Sequence, residues 1–423
     1  MKNLALSVII LMIISINIYS EAIDNNIVKG MNNPNKIKSA KGILGEYALI
    51  KQMKGQLRAG YITFSQDSKS FTNTYALGGH YHFDTKRWNG FMIGAEAYTV
   101  LDLGMNQNSI HKNGDFLDKD KESFILLSQV YLNGKLGNTE IQLGRQTLDT
   151  PHVDSDDIRM IPNYFEAYTI TNTDMDKLTL SVGMIDKMAG WENGVDSAKF
   201  IYVGETLGVN DDVDGIYYAS AVYEGIKDFS LSLWYYHYSD IANVVYAEAG
   251  YSHALSKDTT LTLGLQYDSS IETGAVLLGQ QDAETYGVSI EADFSNLGLT
   301  VLAAYNKDNG RTGATGLSLG GGAFFTSMED QTLDAIDSAG EAWIIGIGCD
   351  FENIGIKGLY FGVAYGNFEA DNTSKYESRE LDVMLEYTWN ENSSLIATVA
   401  AVEFKVPNME DYTQFRLISN YNF

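Results

Sequence analysis

Residues 413–423, TQFRLISNYNF, put Phe415, Leu417, Tyr421 and Phe423 on one side of a two-residue alternation. Gln414, Arg416, Asn420 and Asn422 fall on the other. Successive side chains of a strand point to opposite faces, so this is a strand that meets two different solvents. The pattern recurs. Phe229, Leu231, Leu233 and Tyr235 alternate with Ser230, Ser232 and Trp234, and Leu261, Leu263, Leu265 and Tyr267 with Thr260, Thr262, Gly264 and Gln266. Past residue 22 no apolar run approaches the length a membrane-spanning helix needs, which excludes a helical membrane protein. The chain nevertheless carries 27 Tyr, 18 Phe, 5 Trp and 40 Gly with only 4 Pro, and its apolar residues are evenly spread. Strands that cross a bilayer must satisfy every backbone polar group by closing on themselves. The reading is therefore all-β: a transmembrane antiparallel β-barrel.

Eighteen strand-like segments can be counted, from 55–64 to 413–423, and their connections alternate in length. Links such as 86–89, 224–228 and 390–393 are short turns. Links 103–121, 149–162, 187–213, 269–283, 307–340, 369–378 and 405–412 are longer. Short periplasmic turns and long extracellular loops produce this alternation, with both termini on the periplasmic side. The link at 239–242 breaks it by being short. The last strand is expected to pair with 57–64, with Phe423 at the periplasmic rim.

The chain opens with Lys2 and an apolar stretch from Leu4 to Ile18, followed by Ser20-Glu21-Ala22. This reads as a secretory signal peptide over 1–22, cleaved after Ala22. Residues 23–50 read as a polar periplasmic extension, and 51–423 as the barrel. Cys349 is the single cysteine, so no disulfide within the chain holds the fold. The formal charge of −26 argues against a nucleic-acid partner. It suits divalent ions at a lipopolysaccharide face, cationic solutes at a pore, or acidic loops that keep the chain soluble during export.

Two loops stand out. The longest, 307–340, is Gly-rich between Gly313 and Gly322 and is expected at the surface or as a partial lid. It lacks the GK[ST] of a phosphate-binding loop. The loop after the fifth strand is denser in charge: Arg145, Asp149, His152, Asp154, Asp156, Asp157 and Arg159, bracketed by Pro151 and Pro162. A stiff charged loop folded into a wide barrel narrows it and sets charge selectivity. Arg145, Asp149, Asp154, Asp156, Asp157 and Arg159 are the pore-constriction candidates.

The segment LGRQTLDTPHVDSDDIRMIPNYFEAY resembles its counterpart in OprD-type outer-membrane porins, in particular those of the Campylobacter–Helicobacter–Sulfurimonas group. GRQ, D-T-P, D-D-x-R and P-N-x-F-E carry the resemblance. It implies a channel for small solutes, with extracellular loops folding inward. Some members of that family favour basic amino acids or carboxylate-bearing solutes. The family's ladder of lumenal arginines does not map by motif onto this chain. Alternation alone places Arg58, His80, His82, Arg379 and Arg416 in the lumen. The closing aromatics Phe415, Leu417, Tyr421 and Phe423 look like the assembly signal that barrel-insertion machinery reads.

Other chemistries fit less well. Asn210 to Gly215 matches half of an EF-hand loop, but its twelfth position is Ala221. His80 and His82 share a face, with no third metal ligand identifiable. A barrel hydrolase needs a nucleophile with a histidine base and an orienting acid or amide, and that reading is held as the weaker rival. An adhesin or receptor barrel remains an alternative, through loops 187–213 and 307–340. The reading is a cation-preferring diffusion channel of the outer membrane, not an enzyme and without a cofactor. Its partners are outer-membrane lipid, lipopolysaccharide, small polar solutes, ions and the assembly machinery; a homo-trimer and a monomer both stay open.

Overall fold

The computed structural model describes residues 50–105, 108, 110–209 and 213–423. The signal-peptide reading, nearly all of the 23–50 extension, and Asn210 to Asp212 of the EF-hand-like stretch lie outside the described residues.

Eighteen long strands form one antiparallel ring. They are β1 (Ile50–Gln66), β2 (Thr72–Thr85), β3 (Phe91–Asp102), β4 (Phe124–Leu136), β5 (Thr139–Gln146), β6 (Tyr164–Asn172), β7 (Leu178–Ala189), β8 (Ile216–Ile226) and β9 (Phe229–Tyr238). They continue as β10 (Ala242–Ser256), β11 (Thr259–Glu272), β12 (Asp282–Phe294), β13 (Leu299–Asp308), β14 (Gly340–Asp350), β15 (Leu359–Ala370), β16 (Glu377–Asn390), β17 (Ser393–Phe404) and β18 (Tyr412–Asn422). Each pairs with its chain neighbour, and β18 returns to β1 with Tyr421 opposite Leu57 and Gln414 opposite Phe64. Gly55 and Phe423 exchange both backbone hydrogen bonds at 2.9 Å, which seals the seam at the periplasmic end. The ring leaves no unpaired strand edge, the condition for crossing hydrocarbon.

The two faces separate as the alternation requires. Leu57, Ile125, Leu233, Leu265, Val288 and Ile345 are exposed on the outer wall. Buried apolar side chains gather inside, where the loops meet the wall. One cluster joins Val153, Phe165, Tyr236, Tyr238, Leu317 and Leu319; another joins Ile62, Tyr98, Phe116, Met160 and Ile418.

The loops alternate as expected. The link between β9 and β10 is a true exception: Ser239, Asp240 and Ile241 alone connect the two strands, with Asp240 at a positive φ. We number the extracellular loops from the N-terminus; loop 3 is 147–163, loop 4 is 190–215 and loop 7 is 309–339. Loop 7 is not a surface loop. Its backbone bonds inward, to loop 3 and to the wall.

Candidate functional site

Loop 3 leaves β5 as a tight ladder in which Asp149–Thr150 pairs with Val153–Asp154. Pro151 and His152 form its tip. The His152 side chain is fully buried. Its Nε2 lies 2.6 Å from Asp268 Oδ2 on β11 and its Nδ1 lies 2.9 Å from Ser318 Oγ on loop 7. One imidazole thereby ties loop 3 to the wall and to loop 7. At the other end, the Asp157 carboxylate accepts from both terminal nitrogens of Arg58 on β1, at 2.5 and 2.6 Å. The Arg159 carbonyl accepts from Arg58 Nη1 at 2.9 Å. A bidentate guanidinium–carboxylate pair fixes both distance and orientation. Since β1 and β11 lie on nearly opposite sides of the ring, loop 3 is anchored to two distant parts of the inner wall.

Loop 7 lies alongside it. Leu319 forms a parallel bridge with Val153; its N–H donates to His152 O at 2.8 Å, and its carbonyl accepts from Asp154 N at 3.1 Å. Wall side chains hold the rest. Tyr238 donates to Leu317 O at 2.8 Å, and Gln266 Nε2 to Ala323 O at 2.7 Å. The backbone N–H groups of Asp330 and Gln331 donate to Glu380 at 2.9 and 2.7 Å, and that of Glu329 to Asp382 at 3.1 Å. Arg416 Nη2 donates to Glu329 Oε2 at 2.7 Å. Gly320 has a positive φ of 87°, and a Cβ there would strike the Asp154 carbonyl. Only glycine lets the two loops approach this closely.

The predicted site residues separate into groups. Arg58 and Arg416 face inward on adjacent strands, and each grips one loop. His80 and His82 also face inward. His82 lies 3.2 Å from Asp84 and 3.4 Å from Glu96; His80 lies 3.8 Å from Glu96, which also accepts from Tyr164 at 2.7 Å. Asp149 and Asp154 border a lumenal cavity. Asp156 is half-buried and Asp157 is taken by Arg58. Arg159 is buried, with its guanidinium 4.2 Å from the Trp191 ring of loop 4.

Two positions are corrected. Arg145 is not in the constriction group. It shares the outward face of Leu143, pairs across strands with Glu166 at 3.2 Å, and lies 4.2 Å from the Phe200 ring. Strand β5 continues to Gln146, so Arg145 belongs to the wall, where alternation turns it outward. Arg379 is not lumenal either. Its neighbours Ser378 and Glu380 are the buried inward residues, and Arg379 shares the outer face of exposed Leu381. It lies 3.5 Å from Glu377.

The loops divide the space above and below them. A mouth cavity of about 590 Å³ lies between loop 2 (103–123), loop 4 and loop 7, bordered by Asp118, Lys119, Lys121, Glu192, Asp196 and Asp334. A lumenal cavity of about 460 Å³ lies between loop 3, loop 7 and strands β8–β10; its charged lining is Asp149, Asp154 and Glu248. Gly320, Gly321 and Gly322 line both. Burial, then Asp149 and Asp156, push the Asp154 carboxyl up to about 6. Burial also raises those of Asp156, Glu192 and Asp330.

Sequence reasoning missed Asp268, Ser318, Glu248, Glu380 and Asp382. The strand residues were findable. Asp268 alternates inward between Gln266 and Ser270, and Glu248 follows Tyr246, so an acidic residue on an apolar strand's inner face was the signal. Ser318 had none.

A closed eighteen-strand barrel with an apolar belt and a polar, loop-filled lumen defines a transmembrane pore protein of the outer-membrane type. The family of outer membrane porins called OprD matches residues 90–423, and the chain belongs to it. No curated protein sequence matches significantly. Solved structures share the fold. OccK8 (OprE) of Pseudomonas aeruginosa is 19% identical with a TM-score of 0.73, over 88% of this chain and 97% of that one. OpdK of the same organism, solved with vanillate, is 20% identical at 0.72, over 89% and 100%. OccAB2 of Acinetobacter baumannii is 18% identical at 0.76, over 89% and 98%.

Proposed function

We propose that this outer-membrane porin is a cation-preferring diffusion channel for small hydrophilic solutes, with loops 3 and 7 together forming its constriction. One observation carries the reading: among the described residues, the lumenal cavity beneath the loops is lined by Asp149, Asp154 and Glu248 and by no Lys, Arg or His. Fixed charge of one sign at a narrow point draws in counter-ions and repels co-ions. The mouth adds Asp118, Glu192, Asp196 and Asp334 against Lys119 and Lys121. The wall arginines do not offset this, because Arg58 is neutralised by Asp157 and Arg416 by Glu329. The channel does no chemistry: solutes pass down their gradient.

Ion-selectivity recordings in planar bilayers test it. The double variant Asp149→Asn/Asp154→Asn should keep its conductance and lose much of its cation preference. An unchanged permeability ratio would mean that these carboxylates do not border the ion path.

A further inference from the structure

The lumenal cavity joins two kinds of surface. One is anionic: Asp149, Asp154 and Glu248. Among the described residues none of the three has an ion-pair partner, and Glu248 accepts only from Tyr246, at 2.5 Å. The other is aromatic: Trp234 and Tyr246 from the wall and Phe325 from loop 7. Trp234 and Phe325 are only half-buried, so ring surface is left for a solute. Carboxylates alone would serve an inorganic cation. Aromatic faces add little for a small, strongly hydrated ion, but they attract an organic ammonium through the ring quadrupole while covering its apolar carbon. The volume, about 460 Å³, is that of a small-molecule site. Because Gly320 to Gly322 line this cavity and the mouth cavity alike, the site adjoins the extracellular mouth.

We propose that this cavity binds organic cations: solutes that carry a primary or quaternary ammonium on an apolar or aromatic group, with no carboxylate required. The carboxylates supply the charge attraction, and Trp234, Tyr246 and Phe325 supply the selectivity over inorganic ions. The inference deepens the channel reading and rests on it for the route to the cavity.

The probe is benzyltrimethylammonium, with benzyl alcohol as the uncharged control and benzoate as the anionic one. Calorimetric binding to the detergent-solubilised protein is measured beside block of K+ current through single channels. The ammonium should bind saturably and block in a concentration-dependent way; the two controls should do neither. Trp234→Ala and Glu248→Gln should each weaken binding roughly tenfold, the equivalent of one desolvated cation–π or charge contact. Trp234→Phe, which keeps a ring, should retain most of it. Benzoate binding as tightly as the ammonium, or ammonium binding unchanged in both Trp234→Ala and Glu248→Gln, would overturn the inference. A protein that conducts K+ but does not bind the ammonium overturns this inference alone. One that binds the ammonium without conducting upholds the site and overturns the channel reading.

Discussion

Arg58 does more than line the lumen. Its guanidinium closes on Asp157 and on the Arg159 carbonyl, so one side chain fixes the far end of loop 3. Arg58→Ala would leave that end free. Single-channel recordings should then show noisier and larger currents, with Arg58→Lys between the two, since an ammonium cannot make the bidentate pair. Quiet currents at wild-type amplitude would mean that other contacts hold the loop. Asp154 carries a pH signature. Its carboxyl, pushed up to about 6, is charged above that pH and neutral below it. Cation preference should therefore fall as the pH drops from about 7.5 to about 5, and Asp154→Asn should remove most of that step. A wild-type permeability ratio that stays flat across this range would contradict it. At this scale alternation assigned Arg58, His80, His82 and Arg416 to the face that the strands turn inward. It failed for Arg379 because a one-residue error in strand phase turns every side chain to the opposite face. Arg145 was grouped with the charged loop although it lies within the strand, where alternation turns it outward.

Loops 3 and 7 work as a pair, and their legibility differs. Loop 3 showed itself through density of charge and through Pro151 and Pro162, which are local signals. Loop 7 showed only glycines. Its inward course depends on partners far away in the chain: His152, Tyr238, Gln266, Glu380 and Arg416. No local pattern encodes such contacts, so a surface course and a lid looked equally open. The shared seam is testable at Gly320. Gly320→Ala places a methyl group against the Asp154 carbonyl at a backbone angle that L-residues avoid. We expect a lower temperature for loss of the heat-resistant folded band on gels, and a changed conductance. A variant that matches wild type in both would show that the loops separate without cost.

The whole barrel was the most legible level. Two-residue alternation repeated over eighteen segments, and links alternating short and long, leave few architectures for a chain without apolar helices. Closure followed from pairing β18 with β1, and the seam ends where Phe423 bonds Gly55. Phe415, Leu417, Tyr421 and Phe423 are proposed as the assembly signal. Deleting Phe423 should lower the amount of heat-resistant barrel in the outer membrane several-fold; full assembly without it would remove that role. The molecule's net charge of −26 could reside in loops that ions never meet. The proposed cation preference rests instead on the placement beneath the two loops of carboxylates that, among the described residues, have no ion-pair partner. The wild-type reversal potential across a bilayer with a KCl gradient reads that placement most directly. It should take the sign set by K+ permeating more readily than Cl−. A potential near zero, or of the sign set by Cl−, would contradict a cation-preferring constriction.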